Sequence, residues 1–360
     1  MDTYTSTDPS ELRKSPKGFI TAALVIGLLL IAGFGIFQIS RGFAKIDVAS
    51  SNGGSVMTVP TDQSNVDPNQ PIFVNSAMPN TGVKSGDLIL VNETHGFTDS
   101  TDMGELVSVY DVKADSYYVS SIDVQLRKQM VTAMDSMMNA FQQDTGLKNI
   151  QIISGYRTQE YQQSLYDKDL QKTGLDHSET VAKPGFSEHQ TGLAVDFNVF
   201  QSSYSEDFTG EGNYAWINEH CAEYGFILRY PQNKTEQTKI AYEPWHYRYV
   251  GVPHALYMKE HDMCLEEYIA LLSTYPYTGT HLNITDKDGN AYEVYSVAMT
   301  PDSDATQVPV PGELPYTISG NNVDGFVVAV SLGKVGTPQT TTPDSATTPD
   351  STPAVTTAAQ

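Results

Sequence analysis

Apolar and polar residues recur along the central part of the chain with periods that distinguish helices from strands. Between residues 123 and 144, Met, Ala and Phe occupy every third or fourth position, which predicts an amphipathic helix with a Met-rich buried stripe. Gly146 then ends this helix. The same reasoning assigns the segments that follow: a strand at 149–154, a helix at 158–172, a strand at 193–199, a helix around 217–224, and short aromatic strands at 226–230 and 246–250.

The pattern changes after about residue 273. Alternating apolar positions at 281–284 and 292–298 flank a turn sequence at 286–289, which predicts a hairpin, and residues 326–330 add another strand. The helices and strands before this point do not alternate regularly, so an α+β fold is favoured over a doubly wound sheet. We therefore expect an α+β domain followed by a small C-terminal β appendage.

One segment near the beginning of the chain has the length and composition of a membrane span. Residues 18–40 contain no charged side chain, and as a helix they extend roughly 35 Å, against a hydrocarbon core of about 30 Å. The apolar run is long for a signal peptide and no clear cleavage site follows it, so an uncleaved anchor is favoured. Three basic residues precede the span and two follow it, which favours a cytoplasmic N-terminus and an external catalytic part.

Composition divides the rest of the chain. Residues that follow the span are rich in Ser, Asn, Gly and Asp, as in a flexible tether, and 15 of the last 25 residues are Ser, Thr or Pro, which cannot build a core. The predicted organisation is a cytoplasmic N-terminus at 1–17, a transmembrane helix at 18–40, a flexible linker at 41–71, a catalytic domain at 72–273, the β appendage at 274–335 and a disordered tail at 336–360.

Charge and cysteine content exclude several classes of function. The chain has 21 Lys and Arg against 43 Asp and Glu, a formal charge of -22. Such an acidic surface repels phosphate backbones, so we expect no nucleic-acid partner. The two cysteines, Cys221 and Cys264, exclude a Cys-rich zinc module and a dense disulfide framework. They form either one disulfide or two buried free thiols.

Two of the eight histidines stand near carboxylates in a suggestive way. His189 precedes a glycine-containing turn into the predicted strand, whose Asp196 can point back toward the imidazole. His246 follows Glu243 by three residues. Two imidazoles and one carboxylate fill three positions of a tetrahedral zinc ion and leave the fourth for water, as in catalytic sites. The other histidines lie in polar or loop-like segments without a partner at ligand spacing: His95, His177, His220, His254, His261 and His281.

Three sequence elements resemble a known enzyme family. The sequence SEHQTGLAVD at 187–196 fits the S-x-H-x-x-G-x-A-x-D motif of VanY-type D-alanyl-D-alanine carboxypeptidases at every fixed position. EPWHYRYVG at 243–251 is similar to their second motif, and their SGYR element stands at 154–157. Because the order and spacing of all three also match, the resemblance is specific, and it covers roughly residues 85–273.

The resemblance implies a compact zinc metallopeptidase domain with a small antiparallel sheet flanked by helices. It implies three Zn²⁺ ligands: His189, Asp196 and His246. Glu243 is implied as the general base that takes a proton from water and passes it to the leaving amine. Ser187 either hydrogen-bonds the bound peptide, as its motif position implies, or caps the turn before His189.

An exopeptidase must also recognise the free carboxylate at the end of its substrate. A guanidinium group can hold a carboxylate through two parallel hydrogen bonds. The resemblance implies that Arg157 has this role. Arg229 and Arg248 either share it or form structural ion pairs.

The expected function is therefore that of a membrane-anchored, zinc-dependent D-alanyl-D-alanine carboxypeptidase. Outside the cell it would hydrolyse the terminal D-Ala from peptidoglycan stem peptides with a zinc-activated water. The alternatives are an L,D-carboxypeptidase that acts on tetrapeptide stems, a cross-bridge endopeptidase, and a non-enzymatic wall-binding or scaffold protein. An L,D-enzyme needs acidic or hydrogen-bonding groups for a long cationic side chain, and Glu188, Glu206 and Asp207 are the candidates.

Overall fold

The computed structural model describes residues 72–98, 103–178 and 180–334. They lie within the unit Lys45–Gln360. The predicted N-terminus, transmembrane helix and linker at 1–71 and the predicted tail at 336–360 fall outside the described residues. In the part of the chain that is described, no helix combines the length and the apolar character that a membrane crossing requires.

The elements are numbered in chain order. The α-helices are α1 (Val109–Val112), α2 (Lys128–Thr145), α3 (Gln159–Thr173), α4 (Ala215–His220), α5 (Thr235–Thr238), α6 (Val252–Glu260) and α7 (Leu265–Leu272). The strands are β1 (Phe73–Pro79), β2 (Leu106–Ser108), β3 (Tyr118–Val119), β4 (Gln125–Arg127), β5 (Ile150–Ser154), β6 (Ala194–Gln201), β7 (Tyr204–Asp207), β8 (Phe226–Leu228), β9 (His246–Tyr249), β10 (Leu282–Thr285), β11 (Asn290–Ala298), β12 (Ala305–Pro311), β13 (Tyr316–Gly320) and β14 (Gly325–Lys334).

The Met-rich helix forms as predicted but begins later. α2 starts at Lys128 and ends where Gly146 takes a left-handed conformation with φ of 74°. Its stripe is fully buried and comprises Met130, Met134, Met137, Met138 and Phe141. The residues just before it, which the helical period had included, form β4 and pair with β2. This pairing with a distant segment is not visible in local periodicity.

A six-stranded sheet carries α2 on one face and lies at the centre of the fold. Its strands run in the order β3-β5-β6-β9-β8, and β7 pairs with β6. β3 and β5 are parallel and the other neighbours are antiparallel. The main core lies between this sheet, α2 and α4, where Phe141, Phe197 and Ile217 are fully buried. The α+β class, with a small antiparallel sheet flanked by helices, is therefore confirmed.

The C-terminal strands form a second sheet that packs on the first part of the domain. Its order is β10-β11-β14-β13, and the predicted hairpin connects β10 to β11. Leu282, Val294 and Val327 from this sheet share one buried cluster with Met258 and Leu265 from α6 and α7. β12 is not part of this sheet and instead pairs antiparallel with β1. The strands after residue 273 thus share both a core and a strand pair with the residues before it.

Both cysteines are free thiols. Cys221 and Cys264 are buried and no disulfide joins them, so the second of the two alternatives holds. Burial raises the pKa of each thiol to about 12. Cys264 stands at the N-cap of α7, where its backbone N–H donates to the carboxylate of Glu267 at 2.9 Å.

Candidate metal centre and active site

Three neighbouring strands bring residues from distant parts of the chain side by side. Asp196 lies on β6 at the centre of the sheet. Its partner in register on β5 is Ser154, and its partner on β9 is His246. The antiparallel ladder therefore places the second motif of the sequence directly beside the first.

His189 reaches the same point from a short 3-10 helix, Glu188–Thr191, that precedes β6. Gly192 ends this helix with φ of 68°, and a Cβ there would come within 2.8 Å of Leu106 Cδ2, so the turn requires glycine. The His189 Nδ1–H donates to the Gly155 carbonyl at 2.7 Å. Its Nε2 consequently faces Asp196, at 3.2 Å from Oδ2.

His246 is held by carboxylates on both sides of its ring. Nδ1 lies 3.0 Å from Asp196 Oδ1 and 3.8 Å from Glu243 Oε2, while Nε2 lies 3.4 Å from Glu188 Oε2. Burial favours the neutral ring, but the two carboxylates that contact it outweigh burial and raise the pKa of His246 to about 9.

The geometry of the three residues fits a zinc ion. One ligand atom from each of His189, Asp196 and His246 lies within 4.8 Å of the others, and all three side chains are buried. A tetrahedral zinc ion at its usual bond lengths separates neighbouring ligand atoms by roughly 3.3 Å. Burial lowers the pKa of His189, which keeps its ring neutral, as a metal ligand must be.

The three residues lie in a cleft of about 440 Å³. Residues of α3, residues 180–182, Ile240 and Trp245 also line it. Glu243 lines the cleft as well, and its side chain is 16% exposed. Burial raises the pKa of Glu243 to about 7, and the charge of Asp196 adds to this effect. A carboxyl group that titrates near neutrality suits the exchange of protons with a substrate.

Arg157 lies at the edge of the three residues. Its Nη2 donates to Asp196 Oδ2 at 3.1 Å and to Ser154 Oγ at 2.8 Å. Nη1 donates to Gln162 Oε1 at 3.4 Å, at the beginning of α3. The backbone N–H of Arg157 also donates to the His189 carbonyl at 3.2 Å. The guanidinium group is therefore fixed inside the cleft, within reach of a bound anion.

Ser187 lines the cleft and is buried. Its hydroxyl makes no capping hydrogen bond to the 3-10 helix that follows, although its carbonyl accepts from Gln190 N–H at 3.1 Å. The interpretation of Ser187 as a side-chain cap is therefore wrong. Its contact with substrate stays a prediction.

Arg229 and Arg248 are structural ion-pair partners. Both are fully buried and both donate to Glu188 Oε1, from Arg229 Nε at 2.7 Å and from Arg248 Nη1 at 2.8 Å. Arg229 also forms two hydrogen bonds with Glu266, at 2.9 and 2.7 Å. Despite its own burial, these guanidinium groups hold the pKa of Glu188 far below its usual range. Glu188 is thus a buried, neutralised carboxylate behind His246.

The structure shows where the three acidic candidates of the L,D alternative lie. Glu188 carries no exposed side-chain surface, and Glu206 and Asp207 lie exposed on β7, outside the set of residues that line the cleft. The cleft instead includes two lysines of α3, Lys168 and Lys172, which sequence reasoning did not single out. The available pattern was their spacing of four residues on a predicted helix, with Lys168 eleven residues after the end of the SGYR element.

Comparison with known proteins places these features in a family. The sequence model of VanY, D-alanyl-D-alanine carboxypeptidase, matches residues 123–252. The chain is 35% identical over 257 residues to a D-alanyl-D-alanine carboxypeptidase of Enterococcus faecium, across 71% of this chain and 78% of that protein. It is 38% identical over 155 residues to the bifunctional D-Ala-D-Ala dipeptidase and D-Ala-D-Ala carboxypeptidase VanXYC of Enterococcus gallinarum, across 41% of this chain and 80% of that protein.

A solved structure shares the fold. The crystal structure of the vancomycin resistance D,D-dipeptidase VanXYg, in complex with a D-Ala-D-Ala phosphinate analogue, superposes with a TM-score of 0.64 at 30% identity. The superposition covers 72% of this chain and 99% of that one.

Proposed function

Because this chain belongs to the VanY family of D-alanyl-D-alanine carboxypeptidases, we propose that it is a zinc-dependent peptidase that removes the terminal D-alanine from peptidoglycan pentapeptide stems. One observation carries the proposal. His189, Asp196 and His246 converge in a single cleft that Glu243 and Arg157 also line. A structural zinc site would require neither of the last two residues, and this argues against the scaffold alternative.

Each residue of the chain has a distinct task in this proposal. His189, Asp196 and His246 would hold zinc, which when bound polarises a carbonyl and makes water more acidic. Glu243 takes a proton from the attacking water and returns it to the leaving amine, for which a pKa near 7 is suitable. Arg157 and Ser187 bind and orient the substrate, Arg157 through an anionic oxygen and Ser187 through a hydrogen bond.

The choice of D,D over L,D specificity follows from the acidic groups. An L-diamino residue next to the scissile bond requires an available negative charge. The carboxylate of Glu188 is already shared by two guanidinium groups, and Glu206 and Asp207 lie outside the cleft. None of these three candidates thus offers a free carboxylate inside the cleft, whereas a methyl-sized D-Ala side chain requires none, and this supports the D,D reaction.

Three substrates offered in parallel test the function: a pentapeptide stem, a tetrapeptide stem and free D-Ala-D-Ala. The dipeptide is included because VanXYg is named a D,D-dipeptidase. We expect D-alanine release chiefly from the pentapeptide, its loss after treatment with a chelator, and its return with added zinc. Release from the tetrapeptide alone would contradict the D,D assignment, and full activity in a metal-free preparation would contradict the zinc assignment.

Glu243 is tested by removing its charge while its shape is kept. Glu243→Gln should lose several orders of magnitude in kcat but keep its zinc, because the ligands are unchanged. Arg157→Ala should impair substrate use, again with zinc retained. Metal content per chain, measured beside turnover, separates the two effects. An empty site in Glu243→Gln would show that Glu243 acts as a ligand.

We further propose that residues 18–40 anchor the chain in a membrane with the catalytic part outside the cell. The support is the uncharged run of 23 residues and its flanking basic residues. Protease added to intact cells should then remove the catalytic part and spare the N-terminal segment. A soluble mature chain that begins near residue 50 would show a cleaved signal peptide instead.

A further inference from the structure

Arg127 is a buried arginine that does not line the cleft. It is the last residue of β4 and stands directly before α2, whose Met-rich stripe is fixed in the core. Its Nε donates to the Thr191 carbonyl at 2.7 Å, and its backbone N–H donates to the Gly192 carbonyl at 3.0 Å. Carbonyls at the end of a helix have no partner within the helix. Arg127 therefore binds two carbonyls at the end of the short helix that carries His189.

The same strand, β4, also contacts the segment that fixes the imidazole ring of His189. The His189 Nδ1–H donates to the Gly155 carbonyl. The next residue, Tyr156, donates its backbone N–H to the Gln125 carbonyl of β4 at 2.7 Å. The two segments are so close that a Cβ at Gly155 would collide with the Gln125 oxygen. β4 thus supports both the backbone and the ring of this candidate metal ligand.

The guanidinium group of Arg127 has a separate set of partners. Nη1 donates to the Gly86 carbonyl at 3.3 Å and lies 3.7 Å from Asp87 Oδ1. Arg248 reaches the same segment through the Asp87 carbonyl at 2.9 Å, and it bonds Glu188, the first residue of the short helix. The two arginines therefore hold opposite ends of this helix and are both bonded to one segment of the chain.

We propose that Arg127 is a positioning residue of the metal centre: its bond with the Thr191 carbonyl holds the short helix so that His189 Nε2 faces the other two ligands. A functional site requires its groups to lie within roughly 0.5 Å of their productive positions. Loss of the groups that support metal ligands typically lowers metal affinity about 10- to 100-fold. The inference rests on the proposed function for the identity of the metal, zinc.

Two substitutions of Arg127 separate its bond with Thr191 from its charge. Lysine has a methylene group at the position of Nε and keeps a cationic nitrogen near Asp87, so Arg127→Lys removes the bond and keeps the charge. Glutamine has its amide nitrogen at the position of Nε, so Arg127→Gln keeps a donor for Thr191 and removes the charge. Asp87→Asn is the matched control, because it removes the ion pair and leaves Arg127 intact.

Zinc affinity is measured by competition with a chelator, beside the melting temperature of each metal-free chain. We expect Arg127→Lys to bind zinc about tenfold more weakly than the unaltered chain, whereas Arg127→Gln and Asp87→Asn should stay within about threefold of it although their melting temperatures fall. A purely structural role predicts the reverse order, because loss of one partner of a buried ion pair is the more destabilising change. Equal affinities in Arg127→Lys and Arg127→Gln, or a lower affinity in Arg127→Gln, would overturn the inference.

Hydrogen exchange of the metal-free chains is a second measurement, which does not depend on zinc. The Gly192 N–H donates to the His189 carbonyl at 3.2 Å within the short helix. Relative to the amides of α2, exchange at Gly192 should be several-fold faster in Arg127→Lys and unchanged in Arg127→Gln, because only the first variant releases the end of the helix. Unchanged exchange at Gly192 in Arg127→Lys would contradict the proposed role.

Thr191→Val loosens the same turn without changing a charge, and it replaces Arg127→Lys if that variant does not fold. The Thr191 hydroxyl donates to the Glu188 carbonyl at 2.6 Å and accepts from the Leu193 N–H at 3.1 Å. Valine keeps the shape and removes both bonds, so zinc affinity should fall by a similar factor, about tenfold. An unchanged affinity would show that the placement of this helix does not determine metal binding.

Cleavage of the pentapeptide stem by the unaltered chain separates this inference from the proposed function. Weaker zinc binding and faster Gly192 exchange in Arg127→Lys, without any cleavage by the unaltered chain, would support the role of Arg127 and contradict the peptidase assignment. Zinc-dependent cleavage together with equal zinc affinities in Arg127→Lys and Arg127→Gln would support the peptidase and contradict the role of Arg127.

Discussion

Glu188 is a carboxylate without exposed surface that is bonded on one side to two arginines and faces a candidate metal ligand on the other. Its Oε1 accepts from Arg229 and Arg248, and its Oε2 lies 3.4 Å from His246 Nε2. Hydrogen bonds of this kind to the far nitrogen of a histidine ligand fix the orientation of the ring and strengthen metal binding. Glu188 thus links the stability of the buried charges to the metal centre.

Glu188→Gln should lower both the unfolding free energy and the affinity for zinc. Two buried guanidinium groups would lose their shared counter-charge, which costs about 3–5 kcal/mol of unfolding free energy. Zinc affinity, measured by competition with a chelator, should fall about 10- to 100-fold. Glu266→Gln is the matched control, because Glu266 bonds Arg229 but is not among the residues in contact with His246. It should lower stability and leave zinc affinity unchanged, and equal zinc affinities in both variants would contradict the role of Glu188.

At the residue scale, sequence motifs identified the five groups that meet in the cleft but not their surroundings. The motifs around His189 and His246 could be recognised because local turns set the spacing of their residues. Glu188 was one of three acidic candidates for contact with a cationic substrate side chain, and the motif left its orientation open, because its two arginine partners stand 41 and 60 residues later in the chain. Which of two neighbouring side chains in a 3-10 turn points inward depends on such distant partners, and the sequence does not show them.

At the scale of elements, the contact between α6 and α7 contains a buried histidine. His254 Nδ1 lies 2.9 Å from the Tyr268 hydroxyl, and burial lowers the pKa of His254 to about 4. The sequence indicated a polar or loop-like context for His254, without a partner at metal-ligand spacing, whereas the structure buries it. A neutral imidazole inside the core disfavours protonation, whereas the unfolded chain accepts a proton at its ordinary pKa near 6.5.

This histidine should make the domain less stable in mild acid. Because the folded-state pKa is lowered, the contribution of neutral His254 to the unfolding free energy is fully present above about pH 6.5. This contribution is lost as the pH falls toward 4, by roughly 3 kcal/mol in total. Denaturant unfolding at several pH values should show that acid lowers the unfolding free energy of His254→Gln less than that of the unaltered chain. His261→Gln, at the exposed end of α6, is the control. Acid should lower its unfolding free energy as much as that of the unaltered chain. Parallel pH curves for all three chains would contradict the assignment.

The elements themselves show what local pattern can and cannot predict. α2, β5, α3 and the β10–β11 hairpin lie close to their predicted positions, because periodicity and glycine ends are local properties. β4 was absorbed into the predicted helix, since its strand character depends on pairing with β2. Single-residue boundaries thus follow from contacts made across the fold.

At the scale of the whole molecule, the strands expected to form an appendage complete the core. Leu282, Val294 and Val327 are buried against helices of the preceding part. Burial of each such side chain is worth about 1.5–3 kcal/mol. Removal of these strands would expose the helices of the shared core to water. The resulting loss of free energy is comparable to the whole unfolding free energy of a domain, about 5–15 kcal/mol.

A chain of residues 72–273 should therefore fail to fold cooperatively. We expect aggregation on expression, or a melting transition that is broad and strongly lowered in calorimetry. A chain of residues 72–334, which lacks only the predicted tail at the C-terminal side, is the control and should melt sharply. A soluble 72–273 chain with a sharp transition within a few degrees of the control would show an independent domain.

β1 pairs with β12, which is synthesised much later, so β1 cannot form its native strand pair until then. Asn80, just after β1, bonds Thr306, in β12, across 226 residues of sequence. At typical rates of synthesis, the partner strand emerges roughly ten to fifty seconds after the first. Throughout that interval the edge of β1 is open to any other extended chain. However fast the rest of the domain folds, β1 therefore cannot pair with β12 before that interval has passed, and a protein that shields unpaired strands has the same interval in which to act.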